Sequence, residues 1–170
     1  TAMNMISRGA LLLALIIPLG CHGEPHPEAS TSGHASRPNV QELDPASLSS
    51  TPGAGQTIYV PAYSALAVSD RPHLFNLAIN LSFRNTDSKR PVILKSAQYH
   101  DGSGKLVREF AAKPLKVGPL ASIDFFVTES DKAGGQSASF IVEWVADEAD
   151  VRDAFVESVM VGTANTQGGS

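Results

Sequence analysis

The feature that most constrains the fold is an alternation of apolar and polar residues over Leu74–Phe83. The odd positions are all apolar, whereas the even positions include Asn76, Asn80 and Ser82. Successive side chains of an extended strand point to opposite faces, so the pattern predicts a strand with one buried and one exposed face. The periodicity of this part of the chain is therefore that of β-structure.

Other short segments repeat the pattern and are separated by turn residues. Val92–Tyr99 leads through His100–Gly104 into a return strand at Lys105–Phe110, which is typical of a hairpin. Thr57–Tyr63 and Leu66–Val68 are predicted to form one opening strand that Pro61 interrupts. Further strands are predicted at Ile123–Val127, Phe140–Trp144 and Phe155–Val161. In the last of these, Phe155, Val159 and Val161 complete the series of inward-facing residues. Seven to eight short strands predict an all-β fold, an antiparallel, immunoglobulin-like β-sandwich. The alternatives are a small Greek-key barrel, or a mixed sheet with one short helix over 148–155.

Trp144 is predicted to anchor the core. It shares the apolar side of its strand with Phe140 and Val142, while Glu143 takes the other side. A buried indole N–H needs an acceptor, which a neighbouring backbone carbonyl is expected to provide. The opposing interpretation is an exposed Trp144 on an edge strand, offered to a sugar or a peptide.

The amino-terminal residues form a predicted signal peptide over 1–20. Arg8 precedes an apolar run of ten residues, Ala10–Leu19, about half of the roughly 20 residues that span a bilayer. Gly20-Cys21 follows and resembles the lipobox of bacterial lipoproteins, although Pro18 stands where Leu is usual. Because an unpaired thiol in an exported chain needs a role, we predict that Cys21 is lipidated. The alternatives are a free thiol or cleavage elsewhere.

Composition changes sharply after this start. Residues 21–56 are rich in Pro, Gly and Ser and contain no aromatic residue, so they are predicted to be the lipidated Cys and a disordered tether. All 11 aromatic residues lie between Tyr59 and Phe155. A single β-sandwich domain is therefore predicted over 57–168.

Five segments of that domain carry a resemblance. In chain order they are Thr57–Ser64, Leu81–Asp87, Gly104–Glu109, Phe140–Trp144 and Val159–Ala164. Together they resemble the bacterial domain-of-unknown-function 3124 family over the whole of the domain. The resemblance implies an exported bacterial protein, often with a lipoprotein-like start, and brings no established activity or catalytic residue.

His100-Asp101 is the one adjacent His–carboxylate pair in the domain, with Ser103 close by. A Ser–His–Asp hydrolase needs the three groups within hydrogen-bond reach, but neighbours on a strand point to opposite faces. No nucleophile elbow, zinc-binding His-Glu-x-x-His or phosphate-binding Gly loop occurs. We therefore predict that the protein is not an enzyme, with a periplasmic hydrolase as the alternative.

Metal binding is a further alternative. Histidines of the predicted tether are His22, His26 and His34, and imidazole suits Cu or Zn, but their spacing preorganises no site. Thr128–Asp131 with Gly134-Gly135, and Asn85–Asp87, offer oxygen ligands for Ca²⁺. Calcium takes six to eight oxygens, more than either loop supplies, and loop capping explains these residues. No metal or cofactor is predicted.

Charge is divided along the domain. Residues 57–120 carry nine Lys or Arg and four Asp or Glu, a balance of +5, whereas residues 121–163 carry two and nine, a balance of −7. These blocks either pair across neighbouring strands or form two faces that dock a charged partner. The overall charge of −4 argues against nucleic-acid binding.

We therefore predict a non-enzymatic binding or adaptor module that a lipid anchors to the bacterial envelope, with another envelope protein as partner. His22, rather than Asp, follows Cys21, which by resemblance to lipoprotein sorting favours the outer membrane and a domain in the periplasm. The alternatives are inner-membrane anchoring or a soluble periplasmic protein. The sequence leaves the oligomeric state open.

Overall fold

The computed structural model describes residues 39–67 and 74–162. Eleven strands lie within these ranges, and all of their pairings are antiparallel. They are β1 (Val40–Glu42), β2 (Ala54–Ala62), β3 (Ala65–Ala67), β4 (Leu74–Asn76), β5 (Ala78–Arg84), β6 (Val92–His100), β7 (Leu106–Glu109), β8 (Leu115–Val117), β9 (Ser122–Val127), β10 (Ala138–Ala146) and β11 (Phe155–Val161). The helical segments of these ranges are two 3₁₀ turns, Pro45–Ser47 and Gly135–Ser137. No helix among the described residues is sufficiently long and apolar to cross a membrane.

The larger of the two main sheets contains six strands. Its order is β1-β8-β6-β10-β2, with β7 also paired to β6. Phe140 in β10 stands opposite Tyr99 in β6 and Val60 in β2, so apolar residues form continuous rows across the sheet. Between Glu143 and Trp144 the register shifts because β6 has one extra residue, Lys95. This β-bulge moves the fully buried positions of β6 from Val92 and Leu94 to Ala97 and Tyr99.

The smaller main sheet has the order β11-β5-β9, and β3 and β4 form a separate ribbon. Leu81 in β5 stands opposite Ser158 in β11 and Phe125 in β9. Both main sheets are open and contribute to one core, so the predicted antiparallel β-sandwich is confirmed. The strands outnumber the seven or eight predicted because three-residue strands such as β1 and β8 are too short to show a period.

Aromatic rings fill the core between the sheets. Tyr99 and Phe140 lie 4.9 Å apart between ring centroids, and Phe110 bridges them to Phe125 of the smaller sheet at 5.6 Å. Trp144 is 0% exposed, which confirms its assignment to the core. Its Nε1 makes no hydrogen bond to the described residues, so the expected carbonyl acceptor is not found there.

The alternation that predicted the first strand is confirmed. Ile79, Leu81 and Phe83 are all fully buried. The predicted strand is divided at Leu77, whose N–H donates to the carbonyl of Ser64 at 2.9 Å, and this separates β4 from β5. Pro61 does not break β2, because β2 is the last strand of its sheet and an edge strand tolerates a missing N–H.

The orientation predicted for β11 is wrong. Phe155, Val159 and Val161 are 51, 48 and 57% exposed, whereas Val156 and Met160 pack against the core. Because β11 has apolar residues on both faces, its sequence does not show which face is buried. Its pairing with β5 determines which face packs against the core. The alternative of a helix over 148–155 is also wrong, since that segment is an irregular connection into β11.

Residues 39–54 bring an unexpected strand to the larger sheet. The predicted tether extends to residue 56, but β1 lies within it and pairs with β8. Val40 packs against the core, and a single apolar residue is too little for the sequence to reveal a strand. The predictions for the signal peptide, Cys21 and the tether up to residue 38 concern residues outside the described ranges.

Candidate binding surface

Asn85 begins a polar cluster at one end of the sandwich. Its amide nitrogen donates to the carbonyls of Arg90, Val117 and Gly118 at 2.8 to 3.1 Å, and its Oδ1 accepts from the N–H of Asp87. Asn85 is buried, so these bonds satisfy main-chain groups that water does not reach. The amide thus acts as a structural bridge between two loops.

Asp87 is engaged in the same way. Its Oδ1 accepts from the N–H groups of Lys89 and Arg90 at 2.7 and 2.9 Å, and its Oδ2 accepts from Arg152 at 3.1 Å. These three hydrogen bonds, together with the nearby Arg90 guanidinium, lower the pKa of Asp87 to about 2. The oxygens of Asn85 and Asp87 are therefore committed to the main chain, and loop capping is their role.

Arg90 extends the cluster to the connection before β11. Its Nε donates to Glu148 at 2.5 Å, NH2 donates to the Asp150 carboxylate at 3.3 Å, and NH1 donates to the Asp150 carbonyl. The bond to Glu148 is the main reason that the pKa of Arg90 is raised. Thr86 also donates to the carbonyl of Asp153 at 2.7 Å, so this end of the domain is closed by bonds between two connections.

The second loop considered for Ca²⁺ is also used internally. Asp131 accepts from Arg108 at 2.7 Å through one oxygen and from the N–H of Ala133 through the other. Gly134 lies against the Tyr99 hydroxyl and leaves no room for a Cβ. Across the described ranges, no three His, Cys, Asp or Glu side chains lie together in a way that could hold a metal ion.

The hydrolase candidates do not assemble into a catalytic group. The Asp101 carboxylate accepts from the Ser103 hydroxyl at 2.6 Å and from the N–H groups of Ser103 and Lys105. The Ser103 hydroxyl is the largest cause of a lowered Asp101 pKa. Asp101 therefore caps its own hairpin, and His100 Nδ1 makes no bond to the described residues.

The opposite charges of the two sequence blocks pair with one another. Within the described residues, ion pairs between the blocks are Arg84–Glu157, Arg90–Glu148, Arg90–Asp150, Lys95–Glu143 and Arg108–Asp131. Most of these pairs join neighbouring strands or loops at the surface. The pairing interpretation accounts for these five ion pairs.

Apolar side chains gather on the outer side of the smaller sheet. Register places Val159, Asn80 and Phe126 in one row across the three strands, and Val161 beside Ala78 in the next row. Phe126, Val159 and Val161 are 49, 48 and 57% exposed. We call the outward residues of β5, β9 and β11 the small-sheet face.

Polar groups occupy the other half of the small-sheet face. Ser82 donates to Asp124 at 2.6 Å, and Arg84 pairs with Glu157 at 3.1 Å. Phe155 stands beside Arg84 at the far end. Three strands of six or seven residues, about 4.8 Å apart, cover on the order of 300 Å². This area is below the roughly 800 Å² per partner of a standard interface. The face alone therefore suits a small, reversible contact.

This geometry defines an antiparallel β-sandwich domain with a partly apolar outer sheet face. The chain belongs to the family described as protein of unknown function (DUF3124), whose model matches residues 55–170. The resemblance drawn from five sequence segments is thereby confirmed. Neither a curated protein nor a solved structure matches this chain.

The alternation of apolar and polar residues does not identify the small-sheet face. Phe125-Phe126 is a signal that could have found it, because two adjacent aromatic residues on one strand must point to opposite faces. The same holds for Val159–Val161, where three consecutive apolar residues leave some outside whichever face is buried.

Proposed function

We propose that this chain is a lipid-anchored, non-enzymatic binding domain of the bacterial envelope, which contacts another envelope protein through the small-sheet face. Support for the contact comes from one observation, the gathering of half-exposed Phe126, Val159 and Val161 on one face. Exposed apolar groups of this kind on a soluble domain commonly mark interaction sites. The anchor is proposed from the apolar run Ala10–Leu19 and the Gly20-Cys21 junction that follows it.

For a domain that is anchored to a membrane, a weak contact is enough to bind a partner in the same membrane. A face of roughly 300 Å² gives low affinity between free molecules. Confinement to one membrane raises the effective concentration of two partners, so a weak contact then suffices. We place the domain at the outer membrane, facing the periplasm.

Metabolic labelling with a tagged fatty acid tests the anchor. The wild-type chain is expected to incorporate label and to remain in the membrane fraction, and Cys21→Ser is expected to lose both. Equal labelling of the two proteins, or no label in either, would refute the anchor and leave the surface proposal to a separate test.

Site-specific crosslinking tests the surface. A photoreactive residue at position 159 is expected to capture one envelope protein in living cells, and adding Phe126→Ser should abolish that adduct. The matched control is Tyr59→Ser, because Tyr59 is 64% exposed and belongs to the other main sheet. The captured protein, once purified, should bind wild type and Tyr59→Ser equally and Phe126→Ser at least roughly tenfold more weakly. Equal binding of all three would show that the small-sheet face is not the contact.

A further inference from the structure

β1 completes the larger sheet from outside the family domain. The family model begins at residue 55, whereas β1 covers Val40–Glu42 and pairs with β8 at the edge of the sheet. Its three pairs place Val40 opposite Val117, Gln41 opposite Lys116 and Glu42 opposite Leu115. The edge of β8 thus accepts an extended segment that is not part of the family domain.

Few interactions hold β1 in place. The flanking main-chain bonds are Gly118 N–H to Asn39 O and Leu43 N–H to Pro114 O, both 2.8 Å. Gln41 and Glu42 are exposed. The ion pair from Glu42 to Lys113 is 3.3 Å long, and both side chains are more than half exposed, so it contributes little. Val40 is the one residue of β1 that packs against the core.

The connection from β1 to β2 is held in place at its carboxyl-terminal end, at Gly53. The N–H of Gly53 donates to Ala146 O at 2.9 Å, and the main chain of 147–149 approaches Gly53 too closely for any Cβ. Between these ends the connection forms one wall of a cleft of about 220 Å³, with Leu43, Ser47, Ile93, Lys116 and Glu148 among its lining. The position of Gly53 therefore does not depend on the pairing of β1 with β8.

We propose that the edge of β8 is a strand-binding site, which β1 occupies in the free protein and from which an extended segment of a partner protein displaces it. The chemistry of the site defines that segment. An apolar residue must take the position of Val40 beside Val117, while an acidic residue two positions later adds only a weak attraction to Lys113. Main-chain pairing supplies affinity in such strand addition, and alternate side chains supply selectivity. This site lies on the other main sheet and does not depend on the small-sheet face.

Hydrogen exchange on the full chain tests the first half of the proposal. The amides of Leu43 and Gly118 should exchange by local opening, at least roughly tenfold faster than the amide of Val142 in the centre of the sheet. Exchange of all three at the rate of global unfolding would overturn the proposal, because β1 would then be an integral strand.

A peptide with the sequence of residues 38–44 tests the second half. It should bind the full-length Gln41→Pro variant at least roughly tenfold more tightly than wild type, because a proline weakens β1 in its ladder. Ser50→Pro is the matched control and should bind like wild type. A peptide carrying Asp in place of Val40 should bind more weakly than the native peptide, because Val40 is the residue of β1 that packs against the core. Trp144 fluorescence shows whether the Gln41→Pro variant is folded. An unfolded variant, or a folded variant that does not bind the peptide, would overturn the proposal.

Discussion

The carboxylate of Asp87 and the main chain of Arg152 are joined by a 3.1 Å hydrogen bond, with the N–H of Arg152 donating to Oδ2. Asp87 lies in the connection from β5 to β6, and Arg152 lies in the connection from β10 to β11. This bond therefore ties together two loops that are distant in sequence at one end of the sandwich. Much of the loop order at that end depends on one buried carboxylate.

Acid should weaken the domain through Asp87. Its pKa is lowered from 3.8 to about 2 by the N–H groups of Lys89, Arg90 and Arg152. A lowered native pKa means that the stabilisation is fully present above pH 4 or so and is lost as the pH falls through about 2. Urea unfolding between pH 5 and pH 2 should show a steeper loss for wild type than for Asp87→Asn. The exposed Asp147→Asn control should follow wild type, and parallel curves for wild type and Asp87→Asn would contradict the assignment.

Asn85→Ala should destabilise the domain by roughly 2–4 kcal/mol. The substitution removes a donor from the carbonyls of Arg90 and Val117 and the acceptor of the Asp87 N–H, while the Gly118 carbonyl keeps the N–H of Ala121. Each buried group left unpaired costs roughly 1–3 kcal/mol. Thr86→Ala is the neighbouring control, since it loses one exposed bond to Asp153 and should cost about 1 kcal/mol. Equal losses in chemical denaturation for the two variants would show that Asn85 is not the bridge.

Trp144→Ala should lower the free energy of unfolding by about 3–5 kcal/mol, because it leaves a cavity at a fully buried site between the sheets. That is a large part of the 5–15 kcal/mol that usually separates folded from unfolded domains. As the chain has one Trp, wild-type emission should shift to longer wavelengths on unfolding. A native maximum already at the unfolded position, with Trp144→Ala as stable as wild type, would refute the assignment.

Gly134→Ala should cost about 1–3 kcal/mol, because the added methyl group would overlap the Tyr99 hydroxyl and crowd Ala138. Tyr99→Phe removes that hydroxyl and should return part of the loss in the double variant. A double-mutant cycle from thermal unfolding measures the coupling. Gly135→Ala is not an equivalent control for space, since Gly135 has φ of +67° and an alanine there is strained by its backbone conformation. Additive effects of Tyr99→Phe and Gly134→Ala would show that the two residues do not compete for space.

Parts of the fold could be predicted because they depend on local pattern. Ile79, Leu81 and Phe83 alternate with polar residues, and burying one face of such a strand leaves a single acceptable orientation. The apolar residues Phe140 and Val142 on the same side of the strand predict a core position for Trp144 in the same way. The buried face of β11 could not be predicted in this way, because Val159 and Met160 point to opposite faces and both are apolar enough to be buried.

The sequence by itself determined the β-sandwich class, the family and the buried face of the strands with clear alternation, since these follow from the period of side chains along an extended chain. Tertiary structure alone decided that β1 joins β8, that Asp87 meets Arg152, and that Phe126 and Val159 share an outer face. Each of those contacts joins segments far apart in the chain. The physical reason is that the local pattern determines which face of a strand is buried, whereas long-range packing determines which distant strands and loops become neighbours.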